Sequence, residues 1–390
     1  MDRKNPFPEV TEALVGSGAE TLQWCMQCGM CTAACPWRLV KGEISEKFNN
    51  RKMQHMGQMG VDGYEDEDVL YACTTCGVCV TRCPRQTNAV ANTRVMRSLI
   101  VETSGLPKSV RPTAGSLHDN GNPWQGARAD RLAWAKGLDI PAFGPDKEYL
   151  LYVCCTSCYD KRSMKVARAV ARVLKHAGVS FGVIGAEENC CGESIRKLGG
   201  EAVFQEVAAK NVELFKSKGV KKIITTSPHC LWSFTYDYPE FGGEWEVVHY
   251  SELFARLMQE GKLKLEKPLE GTISFHDPCY LGRHSGVVDE PRALAQALPN
   301  VTFKELSRNR KDSLCCGGGG GRVWMETPAG ARFGDLRVYE ALEQGANVLA
   351  TSCPYCIIML EASAMALGKD EQLKVRDLSE LIAEATVGGE

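Results

Sequence analysis

Cys25-Met-Gln-Cys28-Gly-Met-Cys31-Thr-Ala-Ala-Cys35-Pro36 and Cys73-Thr-Thr-Cys76-Gly-Val-Cys79-Val-Thr-Arg-Cys83-Pro84 share one spacing, the second stretch lying 48 residues (73 minus 25) after the first. Thiolates at every third residue wrap a short loop around one face of an iron–sulfur cubane. The last cysteine follows the turn, beside a proline that directs the chain away. In two-cluster ferredoxins that last cysteine serves the other cluster. The expected ligand sets are therefore Cys25, Cys28, Cys31 and Cys83 for one [4Fe-4S] cubane, and Cys73, Cys76, Cys79 and Cys35 for the other. Zinc sites take four ligands, usually as two separated C-x2-C knuckles. The doubled run with two Cys-Pro endings fits iron–sulfur better.

The rest of the composition agrees with a metal-rich protein of a reducing compartment. The chain has 390 residues, 19 of them cysteine, and its first residues (Met1-Asp-Arg-Lys-Asn-Pro6) lack the apolar core of an export signal. Such cysteine density without an export signal points to metal ligation rather than disulfides, and to a cytoplasmic location. No apolar run approaches the roughly 20 residues that cross a bilayer. The net charge of −2 gives no basic excess, so no nucleic-acid partner is expected. The length predicts two or three compact units.

Outward from the cysteine runs, Met53, Met56 and Met59 predict a helix between them, with the methionines as core filler. A second helix is expected from Ala89 to Val101. Residues 104–147 are rich in Gly, Pro, Asn and Asp without lasting apolar periodicity, and read as a connector pinned by Trp124 and Trp134. Beyond it strands and helices alternate: strands at 149–155, 179–184 and 222–226 with helices at 161–175 and 201–218, then strands at 272–275, 301–306 and 347–351 with helices at 292–297 and 329–344. That order predicts α/β layers with mainly parallel sheets.

The cysteines show a duplication. Cys155, Cys190, Cys191 and Cys230 match Cys279, Cys315, Cys316 and Cys356 at offsets of 124 (279 minus 155) to 126 (356 minus 230) residues. Ser227-Pro-His-Cys230 then stands opposite Cys353-Pro-Tyr-Cys356. The expected fold is an α+β multidomain chain: a helical two-cluster ferredoxin module (1–103), a linker (104–147), and duplicated α/β units at 148–268 and 269–390.

With Cys154-Cys-Thr-Ser-Cys158, Asn189-Cys-Cys-Gly-Glu193, Tyr238-Pro-Glu-Phe-Gly-Gly243, His276-Asp-Pro-Cys-Tyr-Leu-Gly-Arg-His284 and Cys315-Cys-Gly-Gly-Gly-Gly-Gly-Arg322, nearly the whole chain resembles the CCG-domain heterodisulfide reductases. It looks like their D-type component and is similar to the K-type component of the sulfite-reduction membrane complex. The N-terminal part resembles the helical ferredoxin module of respiratory iron–sulfur subunits. The resemblance implies an oxidoreductase subunit, active within a complex, that relays electrons between the cubanes and a noncubane [4Fe-4S] cluster on Cys279, Cys315, Cys316, Cys353 and Cys356. It also implies partners: a flavin-containing A-type component of the heterodisulfide reductases, or a membrane haem b protein exchanging with quinone, the latter tying the chain to the inner membrane face. The rival functions are disulfide reduction at the C-terminal cluster and electron delivery to a low-potential reductase such as benzoyl-CoA reductase.

The first half departs from the pattern, with Ser227 where a cysteine is expected and Cys154 and Cys158 extra. Three readings stay open. Ser227 or Cys158 fills the gap; a cubane sits on four of Cys155, Cys158, Cys190, Cys191 and Cys230; or the site is scaffold without a cluster. No catalytic residue is assigned. The glycine run 317–321 lacks the Walker lysine, so close backbone approach to a cluster is the expectation. His229, His276 and Asp277 are expected around clusters, and Arg283 and Arg322 are read as balancing cluster charge against a plain alternative of surface pairing.

Overall fold

The computed structural model describes residues 7–61 and 67–389. The residues behind the no-export expectation, Met1 to Pro6, lie outside that range.

Short apolar runs start each C-terminal half: β1 (Tyr149–Tyr152), wholly buried, and β5 (Thr272–Phe275). β1 joins β2 (Phe181–Gly182), β3 (Lys222–Thr225) and β4 (Glu246–His249) in a sheet of order β2-β1-β3-β4. β5 joins β6 (Thr302–Phe303), β7 (Val348–Thr351) and β8 (Lys374–Asp377) in the matching order β6-β5-β7-β8. Every pairing is parallel, with Tyr152 opposite Thr225 in one sheet and Phe275 opposite Ala350 in the other. Parallel strands need crossovers, and helices such as Met164–His176 and Phe333–Glu343 supply them. Strand order reverses between β1 and β3, and again between β5 and β7. The crevice at the carboxyl ends of those strand pairs is where such sheets bind ligands.

The N-terminal module is helical, built on Pro8–Gly16, Asn50–Met59 and Ala89–Ser104. Asn88 caps the last of these, its side chain accepting from the Ala91 amide at 3.0 Å. Met53 is buried as filler should be, whereas Met59 is 43% exposed and fills nothing.

Two features escape the sequence pattern for physical reasons. The connector holds a helix, Arg111–Asn120, opened by Pro112 in its first turn, whose buried side is mainly Thr113, Ser116 and Leu117 and so shows no apolar stripe. β4 and β8 are edge strands, only part-buried, and lack a continuous apolar run. The connector is tightly held. Buried Asn122 bonds the backbone of Trp124 and Gly126, the Gly121 carbonyl accepts from the Cys190 amide at 2.7 Å, and Trp124 Nε1 donates to Thr156 at 3.2 Å. Trp134 is buried in the core beside β1.

The ferredoxin module docks on the second α/β unit through the glycine run. A Cβ on Gly319 would lie 2.3 Å from the Thr74 carbonyl oxygen, and one on Gly320 would lie 2.5 Å from that of Cys73. Only glycine allows this approach, so the run brings backbone against the second cysteine loop. Arg97, fully buried, locks the contact. Its guanidinium donates to the carbonyls of Leu70 (2.9 and 3.1 Å), Cys73 (2.7 Å), Lys197 (2.8 Å) and Gly320 (3.1 Å), drawing all three units together. Arg283 does likewise, donating to Cys76 O at 2.7 Å, Lys311 O at 2.8 Å and Ser313 O. Arg322 donates to Glu326 O at 3.1 Å and Thr327 Oγ1 at 2.7 Å, and lies over the Trp37 ring. Both arginines are buried.

Replacing Arg97 by Leu orphans four carbonyls. The expected loss is about 3 kcal/mol or more, read as a lower guanidinium midpoint under anaerobic conditions. A second prediction concerns acid. Burial holds His249 neutral, its pKa lowered to about 3, while it caps helix Tyr250–Gln259 by accepting from the Ser251 amide. A depressed histidine pKa means that the unfolded chain binds the extra proton. Stability is therefore full above about pH 6.5 and falls as pH drops toward 3. His276 and His284, also lowered to about 3, add to the fall. His249→Asn, a neutral cap, should flatten but not abolish that slope in denaturation midpoints compared at pH 7.5 and pH 5.

Candidate metal centres

The two ferredoxin loops repeat each other in backbone as well as in sequence. Gln27 and Thr75 are both left-handed (φ 59° and 52°), as are Gly29 and Gly77 (86° and 77°), curling each C-x2-C around a common centre. Cys25, Cys28, Cys31 and Cys83 line one cavity, which Cys79 also borders, with Arg51 and Arg85 at its wall. Cys35 lies with Cys73, Cys76 and Cys79, and burial followed by those neighbours pushes its thiol well up. Cys83 thus lies with the cysteines of the first loop and Cys35 with those of the second, while Cys79 borders both groups. Donors already point at sulfur: Thr75 N to Cys73 (3.4 Å), Thr87 N to Cys83 (3.3 Å) and Gln27 Nε2 to Cys25 (3.3 Å). Cys31 lies close enough to Cys79 to raise its thiol further, so the two sets adjoin.

In the second α/β unit the strand ends carry the set. Cys279 follows β5, Cys353 directly precedes helix Pro354–Ala366 after β7, and Cys315 and Cys316 lie on the loop before the glycine run. Cys316 and Cys356 sulfurs are 3.4 Å apart, and Cys315 touches Cys279. The Gly317 amide donates to Cys315 at 3.3 Å, as expected of an amide beside a cluster ligand. His276 has its Nδ1 taken by Arg337 Nε at 3.1 Å, which leaves Nε2 as the N–H. That Nε2 has no partner among the described residues, and the histidine can bring a ring nitrogen within 4.8 Å of both the Cys316 and Cys356 sulfurs. Asp277 is held by Arg292 at 2.6 and 2.8 Å.

In the first unit Cys155 and Cys190 sulfurs are 3.5 Å apart, and Cys191 contacts Cys190 and Cys230. Cys154, an extra cysteine by the sequence pattern, belongs with them: its thiol touches both Cys155 and Cys230. Cys158, a candidate for the gap, instead packs in the separate core around Trp134 and bonds the Val153 carbonyl. Ser227 is also diverted, its hydroxyl accepting from the His229 amide at 3.3 Å as a helix cap. Order along the chain could flag Cys154, because it closely follows a buried strand. Only the fold shows which way it turns.

The halves exchange side chains across their interface. His229, paired with Glu193 at 3.0 Å, lies beside Cys353 of the second set; burial works against its proton, but Glu193 and Cys353 hold its pKa well up. Burial also works on Cys353, yet Cys356 and His229 bring it down to about 6. In turn Tyr355 faces Cys155, Cys154 and Cys190 of the first set and lies 4.8 Å from the His229 ring.

These surroundings fit iron–sulfur clusters, which are anionic and bound by thiolates. Buried arginines stand beside the sets: Arg97 by Cys73, Arg283 by Cys76, and Arg131 by Cys155 and Cys158. Arg131 is paired with Glu188 at 2.9 Å but keeps Nη1 unpartnered among the described residues. Bound metal would overcome the raised thiol pKa values, because a coordinated thiol is deprotonated outright.

Comparison with known proteins agrees with this reading. A 4Fe-4S dicluster domain model matches residues 21–87, and a cysteine-rich (CCG) domain model matches 149–235 and 273–361. The D component of dihydromethanophenazine:CoB–CoM heterodisulfide reductase from Methanosarcina barkeri is 34% identical over 99% of this chain and 98% of its own length. The probable iron-sulfur-binding oxidoreductase FadF of Bacillus subtilis is 39% identical over 83% of this chain, and the EtfAB:quinone oxidoreductase of Syntrophomonas wolfei is 36% identical over 82%. The matches cover 47% and 46% of those two relatives, so the chain spans about half their length. A hypothetical protein from Helicobacter pylori, 12% identical, shares the fold at a TM-score of 0.52 over 88% of this chain and 69% of its own. The dicluster domain, the paired cysteine-rich domains and a full-length relative together place this chain in the family of D-type heterodisulfide reductase components.

Proposed function

We propose that the chain is the electron relay of an oxidoreductase complex, carrying electrons between its ferredoxin clusters and the C-terminal cysteine-rich centre. The observation that carries this reading is a thiol contact across the domain boundary. Cys76, expected to hold the second cubane, lies against Cys315, expected to hold the C-terminal cluster. Thr74 lies beside them, its hydroxyl 3.6 Å from the Cys315 sulfur. Cys31 beside Cys79 continues the line to the first cubane set. That set is the exposed end: Cys28 is open to solvent, and Trp24 (49%), Met26 (58%) and Met30 (47%) stand exposed around it. A partner would exchange electrons there.

Burial separates relay from disulfide reduction. Cys279, Cys315, Cys316, Cys353 and Cys356 are each 8% exposed or less, so a bulky disulfide has little access to sulfur. A cluster of the noncubane kind on these five, cubanes on the ferredoxin sets, and a flavin- or haem-bearing partner complete the reading. Among the described residues no helix is long and apolar enough to cross a membrane. A cytoplasmic chain held at the membrane by its partner accords with that.

EPR of the anaerobically purified, reduced protein tests the relay. The C-terminal centre should relax faster than an isolated cluster, through magnetic coupling to the neighbouring cubane. Gly319→Ala, which forces the Thr74 loop away, should weaken that coupling while leaving the iron content unchanged. A C-terminal signal that relaxes as an isolated centre would overturn the relay. A further expectation concerns the domain interface. His229→Leu strands the buried Glu193 carboxylate and should cost about 3–5 kcal/mol of stability, read as a lower denaturation midpoint.

A further inference from the structure

We infer that Cys154 is the thiolate that the first cysteine-rich site uses in place of the one absent at position 227, so that this site also presents five thiols, Cys154, Cys155, Cys190, Cys191 and Cys230. The inference rests on the reading above that the cysteine-rich sites hold iron–sulfur clusters, and it names the ligand that lets the Ser227-bearing site do so.

The two halves differ by a paired exchange. Cys154 occupies the place of Pro278, and Ser227 the place of Cys353. Neither exchange alters the backbone. Cys154 (φ −52°, ψ 139°) matches Pro278 (−62°, 132°), and Ser227 (−140°, 135°) matches Cys353 (−156°, 125°). β1 and β3 are adjacent parallel strands paired at Tyr152 and Thr225. Continuing that register sets Cys154 level with Ser227, one strand across. The link persists past the strand ends, since the Cys154 amide donates to the Thr226 hydroxyl at 3.0 Å. A thiol leaving the end of β1 can therefore reach the space that a thiol from the end of β3 would fill, as Cys353 does beyond β7 in the second half.

The side chains occupy the places this requires. Cys154 is 5% exposed and sits in one core with Cys155, Cys190, Cys191 and Cys230, touching Cys155 and Cys230 directly. Ser227 is engaged as the cap of helix Pro228–Trp232, a bond that Cys353 does not make on its own helix. Cys158 belongs to the other core. Arg131, buried and paired with Glu188, keeps Nη1 without a partner among the described residues, a donor left over near Cys155.

The test is iron and acid-labile sulfide content, with Mössbauer spectra, of the full-length protein purified anaerobically as wild type, Cys154→Ala, Ser227→Ala and the double variant Cys154→Ala/Ser227→Cys. Wild type and Ser227→Ala should each hold about 16 irons, four per cluster in four clusters. Cys154→Ala should lose about four, with the ferredoxin and C-terminal spectra intact. The double variant, which returns the thiol to the end of β3, should recover them, a rescue that a merely misfolded single variant could not show. Full iron in Cys154→Ala, or loss in Ser227→Ala, would overturn the inference. Wild type at about 12 irons, with ferredoxin and C-terminal signals present, would overturn it while leaving the relay standing. About 8 irons, all cubane-like, would remove the C-terminal cluster and the relay with it.

Discussion

Two stretches of backbone that touch govern this molecule: the second cysteine loop of the ferredoxin module and the glycine run of the second cysteine-rich domain. Side chains on residues 319 and 320 would hold them apart, and the Cys76 and Cys315 thiols would then separate. Electron transfer falls steeply with distance, so the path between domains depends on glycine having no Cβ. Arg97 makes the contact permanent because its guanidinium N–H groups find carbonyls from three parts of the chain.

Burying so many thiols near one another sets a charge problem that the fold answers locally. An anionic cluster in a dry interior needs cations or hydrogen-bond donors beside it. Here arginines are themselves buried and tied to carbonyls or single carboxylates, leaving them fixed in place. The amides of Thr75, Thr87 and Gly317 add directed N–H groups at sulfur. The same arrangement that stabilises the folded chain would also set cluster potentials, since hydrogen bonds to sulfur and exposure are what tune them.

Duplication explains the geometry between the halves. Each sheet offers its cysteines at the reversal of strand order, and each domain sends the third residue of its helix-opening motif toward the other. His229 and Tyr355 occupy equivalent places, yet one carries an ionisable ring to Cys353 and the other a phenol to the first set. The pair has diverged while the framework has not. Clusters bound at two sites with such different neighbours would differ in potential.

Covalent spacing alone determined much. Intervals of three residues within a loop, and a Cys-Pro exit, leave few ways to wrap a cluster, so the two cysteine loops were legible before any fold, and the habit of two-cluster ferredoxins gave the expected exchange of Cys35 and Cys83. The periodic runs at β1, β5 and their helices were legible because burial on both faces demands continuous apolar sequence. β4 and β8 were not, being half-exposed edges, nor was the connector helix, whose buried face is largely polar. The place of Cys154 beside Cys155 and Cys230 was equally hidden. Cys154 and Cys158 are both close in sequence to Cys155, and sequence does not say that the short helix from Cys155 turns Cys158 into a different core. Nor could it say that strand pairing brings residue 154 level with residue 227, or that the glycine run meets the ferredoxin loop. Local spacing specifies which atoms can share one loop. Which loops share one site is decided by register and packing between segments far apart in the chain, and only the tertiary structure contains that.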